Sequence, residues 1–146
     1  MKGAILHPTD FSPASRPAFA QALALARKEG TELLLVHVLS TVMPMAGEGY
    51  VSPKVYDDLQ RSMRAHAQKQ LDGLLAKAKA ARVRARGVLY EGVAADAITR
   101  AARAKHAKQI VMGTHGRTGL TRLFMGSVAE RVVGMAPCPV LTVRGK

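Results

Sequence analysis

The feature that most constrains the fold is a repeated change in the spacing of apolar residues along the 146-residue chain. Short apolar runs, typical of strands, alternate with stretches in which apolar residues recur every three or four positions, typical of helices. The strand candidates are residues 3–8, 33–39, 83–90, 109–113 and 139–143. Strands that alternate with helices form mainly parallel sheets. We therefore predict one α/β domain over residues 1–146, with an open five-stranded parallel sheet, helices on both faces and a Rossmann-like, doubly wound topology.

Local start and stop signals predict where the helices begin and end. Ser12 followed by Pro13 predicts a helix start, in which the serine hydroxyl caps free N–H groups and proline takes the first helical position. This helix is expected to run to about Lys28, because Gly30 ends its apolar pattern. Three further helices are predicted: one after Pro53, one over residues 94–106 and one from about Gly126 to Ala136.

Residues 40–52 carry Pro44, Gly47 and Gly49 together with several apolar side chains, which predicts a long loop. Loops of this length in small domains are often lids or contact segments. A disordered surface excursion is the other interpretation, and the residues leave the two open.

Composition limits the class of partner. Lys and Arg number 22 against 10 Asp and Glu, a formal charge of +12, which favours anionic partners such as nucleotides, nucleic acids or acidic surfaces. The basic residues concentrate between Lys77 and Lys108, where a solvated face is the simplest interpretation. This stretch carries a single aromatic residue of the Phe, Tyr and Trp type, Tyr90, too few to stack on a series of bases, so nucleic-acid binding is not favoured.

The single cysteine, Cys138, excludes an internal disulfide and a cysteine-rich zinc site. No apolar run approaches the roughly 18 residues that cross a bilayer. The first residues lack the apolar core of a signal peptide. We therefore expect a cytoplasmic protein without a membrane segment, in which Cys138 is a small core residue.

Two segments are expected at the carboxyl ends of strands, where open parallel sheets bind their ligands. One is Pro8-Thr9-Asp10 after the first strand, and the other is residues 113–119 after the fourth strand. The second segment and the helix start that follows contain glycines at 113, 116, 119 and 126, followed by Ser127. Glycines let backbone N–H groups approach phosphate oxygens, and a helix N-terminus attracts anions. A tight turn with Ser127 as an ordinary N-cap is the alternative.

The two common phosphate motifs are absent from the sequence. There is no G-x-x-x-x-G-K-[ST] loop, and no G-x-G-x-x-G follows the first strand. A nucleotide site in this chain would therefore be of another kind.

The segments ILHPTDFS, LLLVHVL and IVMGTHGRTGLTRLFMGSVAERVVGMAPCPVLTVR resemble the universal stress protein family. Its nucleotide-binding members carry G-x2-G-x9-G-[ST], which Gly113, Gly116, Gly126 and Ser127 match position for position. The resemblance covers nearly the whole chain, although the middle carries only the expected order of elements. His7 departs from the pattern, since a branched apolar residue is usual there, and it requires a hydrogen-bond partner.

The resemblance implies a role for each matching position. Asp10 is expected near the ribose or adenine, with Pro8 and Thr9 forming the adjacent wall, while Val38 offers backbone groups to the adenine edge. Met112 and Gly113 are expected near the ribose. The residues expected around the phosphates are His115, Gly116, Arg117, Gly126, Ser127 and Val128. Asp10 has a second interpretation as the cap of the helix that begins near Ser12.

The resemblance also implies an ATP-binding protein that acts as a nucleotide-dependent binder or sensor in a stress response. Mg²⁺ is expected to be held by the phosphates and water, since the histidines show no metal-ligand spacing. No base paired with an orienting carboxylate is visible, so at most slow ATP hydrolysis is expected. A homodimer paired through the last strand is implied. The alternatives are an interaction scaffold of the same fold that needs no nucleotide, and a nucleic-acid binder driven by the basic surface.

Overall fold

The computed structural model describes residues 3–40, 52–115 and 125–145. It contains five strands in one parallel sheet: β1 (Ile5–Pro8), β2 (Leu33–Leu39), β3 (Ala85–Glu91), β4 (Gln109–Gly113) and β5 (Val140–Val143). Their spatial order is β3-β2-β1-β4-β5. The predicted five-stranded parallel sheet is therefore confirmed, and the winding direction reverses between β1 and β4.

Within these described ranges, four α-helices connect the strands: α1 (Arg16–Glu29), α2 (Pro53–Ala80), α3 (Ala94–Ala104) and α4 (Ser127–Met135). A single 3-10 turn, Pro13–Ser15, precedes α1, and Gly30 ends α1 in the left-handed conformation. The N-cap of α2 is Ser52, whose hydroxyl accepts the Val55 N–H. Each predicted helix is present, with ends that differ by a few residues from the expected ones.

The sheet is covered on both faces, as predicted. Leu6 and Ile110 pack with residues of α3 and α4 on one face, while Ile5 and Val111 pack with residues of α1 and α2 on the other. Neighbouring residues of a strand point to opposite faces. Ile5 and Leu6 are both fully buried because β1 is the central strand.

The edges of the sheet are less buried than its centre. β3 and β5 end the strand order, and all four residues of β5 are only half-buried. Cys138, which precedes β5, packs against the α3 and α4 side of the core, and burial raises the pKa of its thiol. Among the described residues, no helix combines the length and hydrophobicity needed to cross a bilayer.

Candidate functional site

The strand order brings the two predicted ligand segments to one edge of the sheet. β1 and β4 are paired neighbours, with Ile5 opposite Gln109 and Leu6 opposite Ile110. The Pro8-Thr9-Asp10 segment and the segment after Gly113 therefore leave adjacent strands at their carboxyl ends. Both segments predicted at the carboxyl ends of strands thus lie at one edge of the sheet.

The turn after β1 is organised around the buried Thr9. Its backbone N–H donates to the Val36 carbonyl at 2.9 Å, and its Oγ1 accepts the Phe11 N–H at 3.0 Å. The Ser15 hydroxyl donates to the Ser12 carbonyl at 2.7 Å. The Thr9 hydroxyl, 3.2 Å from Ser15 Oγ, is therefore the donor of that pair. These bonds hold the turn in a shape that places Phe11 at a φ of 63°, a conformation uncommon outside glycine.

The start of the first helix is capped differently from the way the sequence predicts. The predicted cap by the Ser12 hydroxyl is wrong, because this hydroxyl is buried without a hydrogen-bond partner among the described residues. Instead, Asp10 Oδ1 accepts the Ser12 N–H at 2.9 Å. The second interpretation of Asp10, as the cap of the helix that begins near Ser12, agrees with this contact, and its predicted ribose contact stays a prediction.

The end of β2 forms the neighbouring wall. His37 Nδ1 donates to the Thr9 carbonyl at 2.7 Å, since a carbonyl oxygen only accepts. The His37 ring centroid lies 4.4 Å from that of Phe11. This bond fixes the turn after β1 to the end of β2. Val38, the next residue, is half-buried and opposite Tyr90 of β3.

His7 joins β1 to β4 immediately before the turn. It is fully buried, and its Nδ1 donates to the Val111 carbonyl at 2.8 Å. Its ring lies 5.8 Å from that of Phe19 on α1, and its Nε2 is buried without a partner among the described residues. Burial lowers the pKa of His7 to about 4, against the opposing effects of the Val111 bond and the Asp10 charge. His7 is therefore neutral at pH 7.

The other side of the site joins β4 to the start of α4. The Thr114 N–H donates to the Val143 carbonyl at 3.0 Å, and the Gly126 N–H donates to the Thr114 carbonyl at 2.6 Å. Thr114 Oγ1 and His115 Nδ1 are 2.9 Å apart. Thr114 thus links the end of β4 to β5, to the start of α4 and to the His115 side chain. Sequence reasoning missed it, although its position between Gly113 and His115 could have drawn attention to it.

Gly126 is the N-cap of α4, with φ of −61° and ψ of 153°. The alternative in which Ser127 is the N-cap is therefore wrong: Ser127 is the first helical residue. Ser127 and Val128 are both exposed, and no side chain caps the helix start among the described residues. Backbone N–H groups of a first helical turn that lack a cap are donors for an anion.

Met112 and Gly113, the two predicted residues at the end of β4, differ in burial. Met112 is buried in the core on the α3 and α4 side, which leaves its backbone to contribute to a site. Gly113 is half-buried, and a methyl group built on it would lie 3.5 Å or more from its nearest protein atoms. Gly116, Arg117 and residues 41–51 of the loop predicted over residues 40–52 lie outside the described residues. No cluster of three or more His, Cys, Asp or Glu suited to a metal ion occurs among the described residues.

The model of the universal stress protein family matches residues 1–144 of the chain. The chain belongs to the universal stress protein family. It is 36% identical over 140 residues to a universal stress protein of Thermus aquaticus, covering 96% of this chain and 97% of the relative. It is 35% identical over 140 residues to the universal stress protein MJ0531 of Methanocaldococcus jannaschii, covering 96% and 81%.

Solved structures share the fold of this universal stress protein. The protein MJ0577 of Methanocaldococcus jannaschii superimposes with a TM-score of 0.84 at 24% identity, over 100% of this chain and 98% of the other. A universal stress protein in complex with cAMP has a TM-score of 0.73 at 20% identity, over 99% and 98%. The protein from Archaeoglobus fulgidus in complex with dAMP has a TM-score of 0.67 at 20% identity, over 99% and 98%. The family and the α/β fold predicted from the sequence are confirmed.

Proposed function

We propose that this universal stress protein binds an adenine nucleotide, ATP in particular, at the edge where β1 and β4 end. The observation that carries the proposal is the bond from the Gly126 N–H to the Thr114 carbonyl. This bond attaches an uncapped helix start to the loop beside Gly113, while Asp10 leaves the adjacent strand. The Asp10 carboxylate, which can accept hydrogen bonds from hydroxyl groups, follows β1. The N–H groups at the start of α4, which can donate to phosphate oxygens, are attached to the end of the neighbouring strand β4.

The residues present suit the parts of an adenine nucleotide. Asp10 would accept hydrogen bonds from ribose hydroxyls, beside the buried Pro8 and Thr9. The backbone of Val38 would meet the adenine edge, and that of Met112 and Gly113 the ribose. The first turn of α4, with Gly126, Ser127 and Val128, would bind phosphate oxygens through N–H groups and its positive dipole end, together with His115, Gly116 and Arg117. Two relatives in the comparison hold adenine nucleotides, cAMP and dAMP, which supports this assignment.

The same residues favour binding over catalysis. The Thr114 hydroxyl is within hydrogen-bonding distance of His115 Nδ1 and orients its ring, while the sequence pattern shows no motif that pairs a general base with an orienting carboxylate. Mg²⁺ would be held by the phosphates and water. We therefore assign the protein to nucleotide-dependent binding or sensing in a cytoplasmic stress response, with at most slow ATP hydrolysis.

The double variant Gly113→Ala/Gly126→Ala tests the assignment by calorimetric titration with ATP. We expect it to lose measurable ATP binding, because each methyl group takes space that the phosphates or ribose need for close approach to the backbone. The protein alone accommodates the methyl at Gly113, and the φ and ψ of Gly126 suit any residue.

Gly134→Ala is the matched control, since Gly134 also lies in α4 and a methyl there meets no atom within 4 Å. It should bind ATP like the wild type. Circular dichroism confirms that each variant is folded. A folded double variant with wild-type ATP affinity would show that ATP does not bind at this edge of the sheet.

A further inference from the structure

The fold gathers basic residues at the end of the sheet opposite the proposed nucleotide site. Helices α1, α2 and α3 run back from the carboxyl ends of the strands, so their C-terminal ends lie beside the amino ends of the strands. Each contributes exposed cations there: Arg27, Lys28, Lys77, Lys79, Arg103 and Lys105. We call this end of the molecule the basic pole.

Stabilisation of helix ends explains only part of the basic pole. Cations near a helix C-terminus interact favourably with the helix dipole. Two acidic side chains also occur here, and each has a cation of its own: Glu29 is paired with Lys108, and Glu32 lies 2.6 Å from Arg86. Arg82 and Arg84, which follow the end of α2, have no such acidic partner among the described residues.

Arg82 and Arg84 line a groove between the end of α2 and the start of β3. Its volume is about 500 Å³, and its lining residues are Leu75, Lys79, Arg82, Val83, Arg84 and Ala85. The aliphatic members are buried or half-buried and the cations are exposed, so the groove has an apolar floor and a basic rim. Within the described part of the chain, no acidic residue lines the groove and its three cations have no ion-pair partner.

The groove also borders an open strand edge. β3 ends the strand order, and the Arg84 carbonyl accepts the Leu33 N–H of β2 at 2.9 Å. Alternate residues of a parallel strand bond to the same neighbour. The backbone N–H and carbonyl of Ala85 therefore point to the open edge, next to the floor and rim of the groove.

We propose that this groove docks an extended peptide segment in which acidic and aliphatic residues alternate. The carboxylates complement the cations of the rim, the aliphatic side chains cover the floor, and the peptide backbone meets the open edge of β3, as in strand addition. A nucleic acid or an anionic membrane would contact only the cations of the rim. Neither has peptide N–H and carbonyl groups that can bond to the edge of β3 while aliphatic side chains cover the floor. This inference is independent of the nucleotide site.

The probe is a fluorescein-labelled synthetic peptide of alternating Glu and Val, followed by fluorescence anisotropy. Lys79→Glu/Arg84→Glu should weaken its binding at least about tenfold, because two rim attractions become repulsions. The matched control is Arg61→Glu/Arg100→Glu, which makes the same charge change at exposed positions of α2 and α3. It should stay within about twofold of the wild type, since exposed charges more than a Debye length away are screened. Lys79→Gln/Arg84→Gln should show a smaller loss in the same direction.

Three further ligands separate this proposal from general attraction to anions. A peptide of alternating Glu and Ser tests the floor, a thymidine oligonucleotide tests nucleic acid, and phosphatidylglycerol vesicles test membranes. We expect the Glu-Val peptide to bind most tightly of the four. The proposal is overturned if the Glu-Val peptide does not bind, if the Glu-Ser peptide binds equally well, if the oligonucleotide or vesicles bind more tightly, or if the control pair weakens binding as much as the groove pair.

Discussion

Single side chains tie the central strands together beside the candidate site. His7 bonds to β4 through Val111, and His37 bonds to the turn after β1 through Thr9. Both imidazoles donate a hydrogen bond to a carbonyl oxygen, so Nδ1 carries the hydrogen atom in both rings. His7 differs because its second nitrogen is buried without a partner among the described residues. The free energy of unfolding should therefore depend on the protonation state of His7.

We predict that this free energy falls as the pH is lowered from about 6.5 to 4. The folded-state pKa of His7 is about 4, below its usual value of 6.5, so the unfolded chain takes up a proton in this window and the folded chain does not. Stability contributed by neutral His7 is complete above pH 6.5 and is lost toward pH 4, by roughly 1.4 kcal/mol per pH unit at most. Urea denaturation at four pH values across the window measures the slope.

His7→Leu should flatten that part of the profile, since leucine binds no proton. His66→Leu is the matched control, because His66 is exposed on α2, and it should keep the wild-type slope. Equal slopes in the wild type and His7→Leu would show that other groups cause the acid sensitivity.

At the scale of elements, the outer edge of β5 is available for pairing with a strand of a second copy of the chain. The carbonyls of Pro139 and Val143 accept N–H groups of β4 and of Thr114. Since alternate residues bond to the same neighbour, the backbone of Val140 and Thr142 points to the outer edge. We propose that this edge pairs with a second copy to form a homodimer, which would remove an exposed strand edge.

Thr142→Pro should convert such a dimer to a monomer, because proline removes an outward N–H without touching the bonds to β4. Native mass spectrometry reads the subunit number and, in the same spectrum, any bound nucleotide mass. Thr142→Val keeps the N–H and should remain dimeric. A dimer that persists in a folded Thr142→Pro protein would place the interface elsewhere.

At the scale of the whole molecule, the two proposed sites lie at opposite ends of the strands. Strands of up to seven residues separate them by roughly 20 Å at about 3.3 Å per residue. This exceeds the Debye length of about 8 Å at physiological salt. Charges at the basic pole should therefore have little effect on a nucleotide at the other end.

We expect the two sites to respond independently to substitution, because changes at separated sites without shared partners are usually additive. Lys79→Glu/Arg84→Glu should leave ATP affinity within about twofold, and Gly113→Ala/Gly126→Ala should leave the affinity for the Glu-Val peptide within the same limit. Titrations of each variant with both ligands measure this. A loss of both affinities in either folded variant would show that the ends are coupled.

Local signals predicted the elements well and their caps poorly. Pro13, Gly30 and Pro53 mark helix ends because their effect on the backbone needs no distant partner. The cap residues were misassigned because several neighbouring polar groups can serve one N–H: Asp10 bonds to the Ser12 N–H, and Gly126 takes the N-cap position beside Ser127. The partner of His7 was beyond prediction, since Val111 lies 104 residues away in the chain.

The sequence by itself determined the order of strands and helices, the glycine pattern around Gly113 and Gly126, and the family, because periodicity and motif spacing act over a few residues. Only the tertiary structure decided which side chains meet. It set β4 beside β1, buried His7 between them and formed the basic groove from the end of α2 and the start of β3. The physical reason is that these contacts depend on how the strands cross over to pair, and no local preference of the chain encodes a distance between residues far apart.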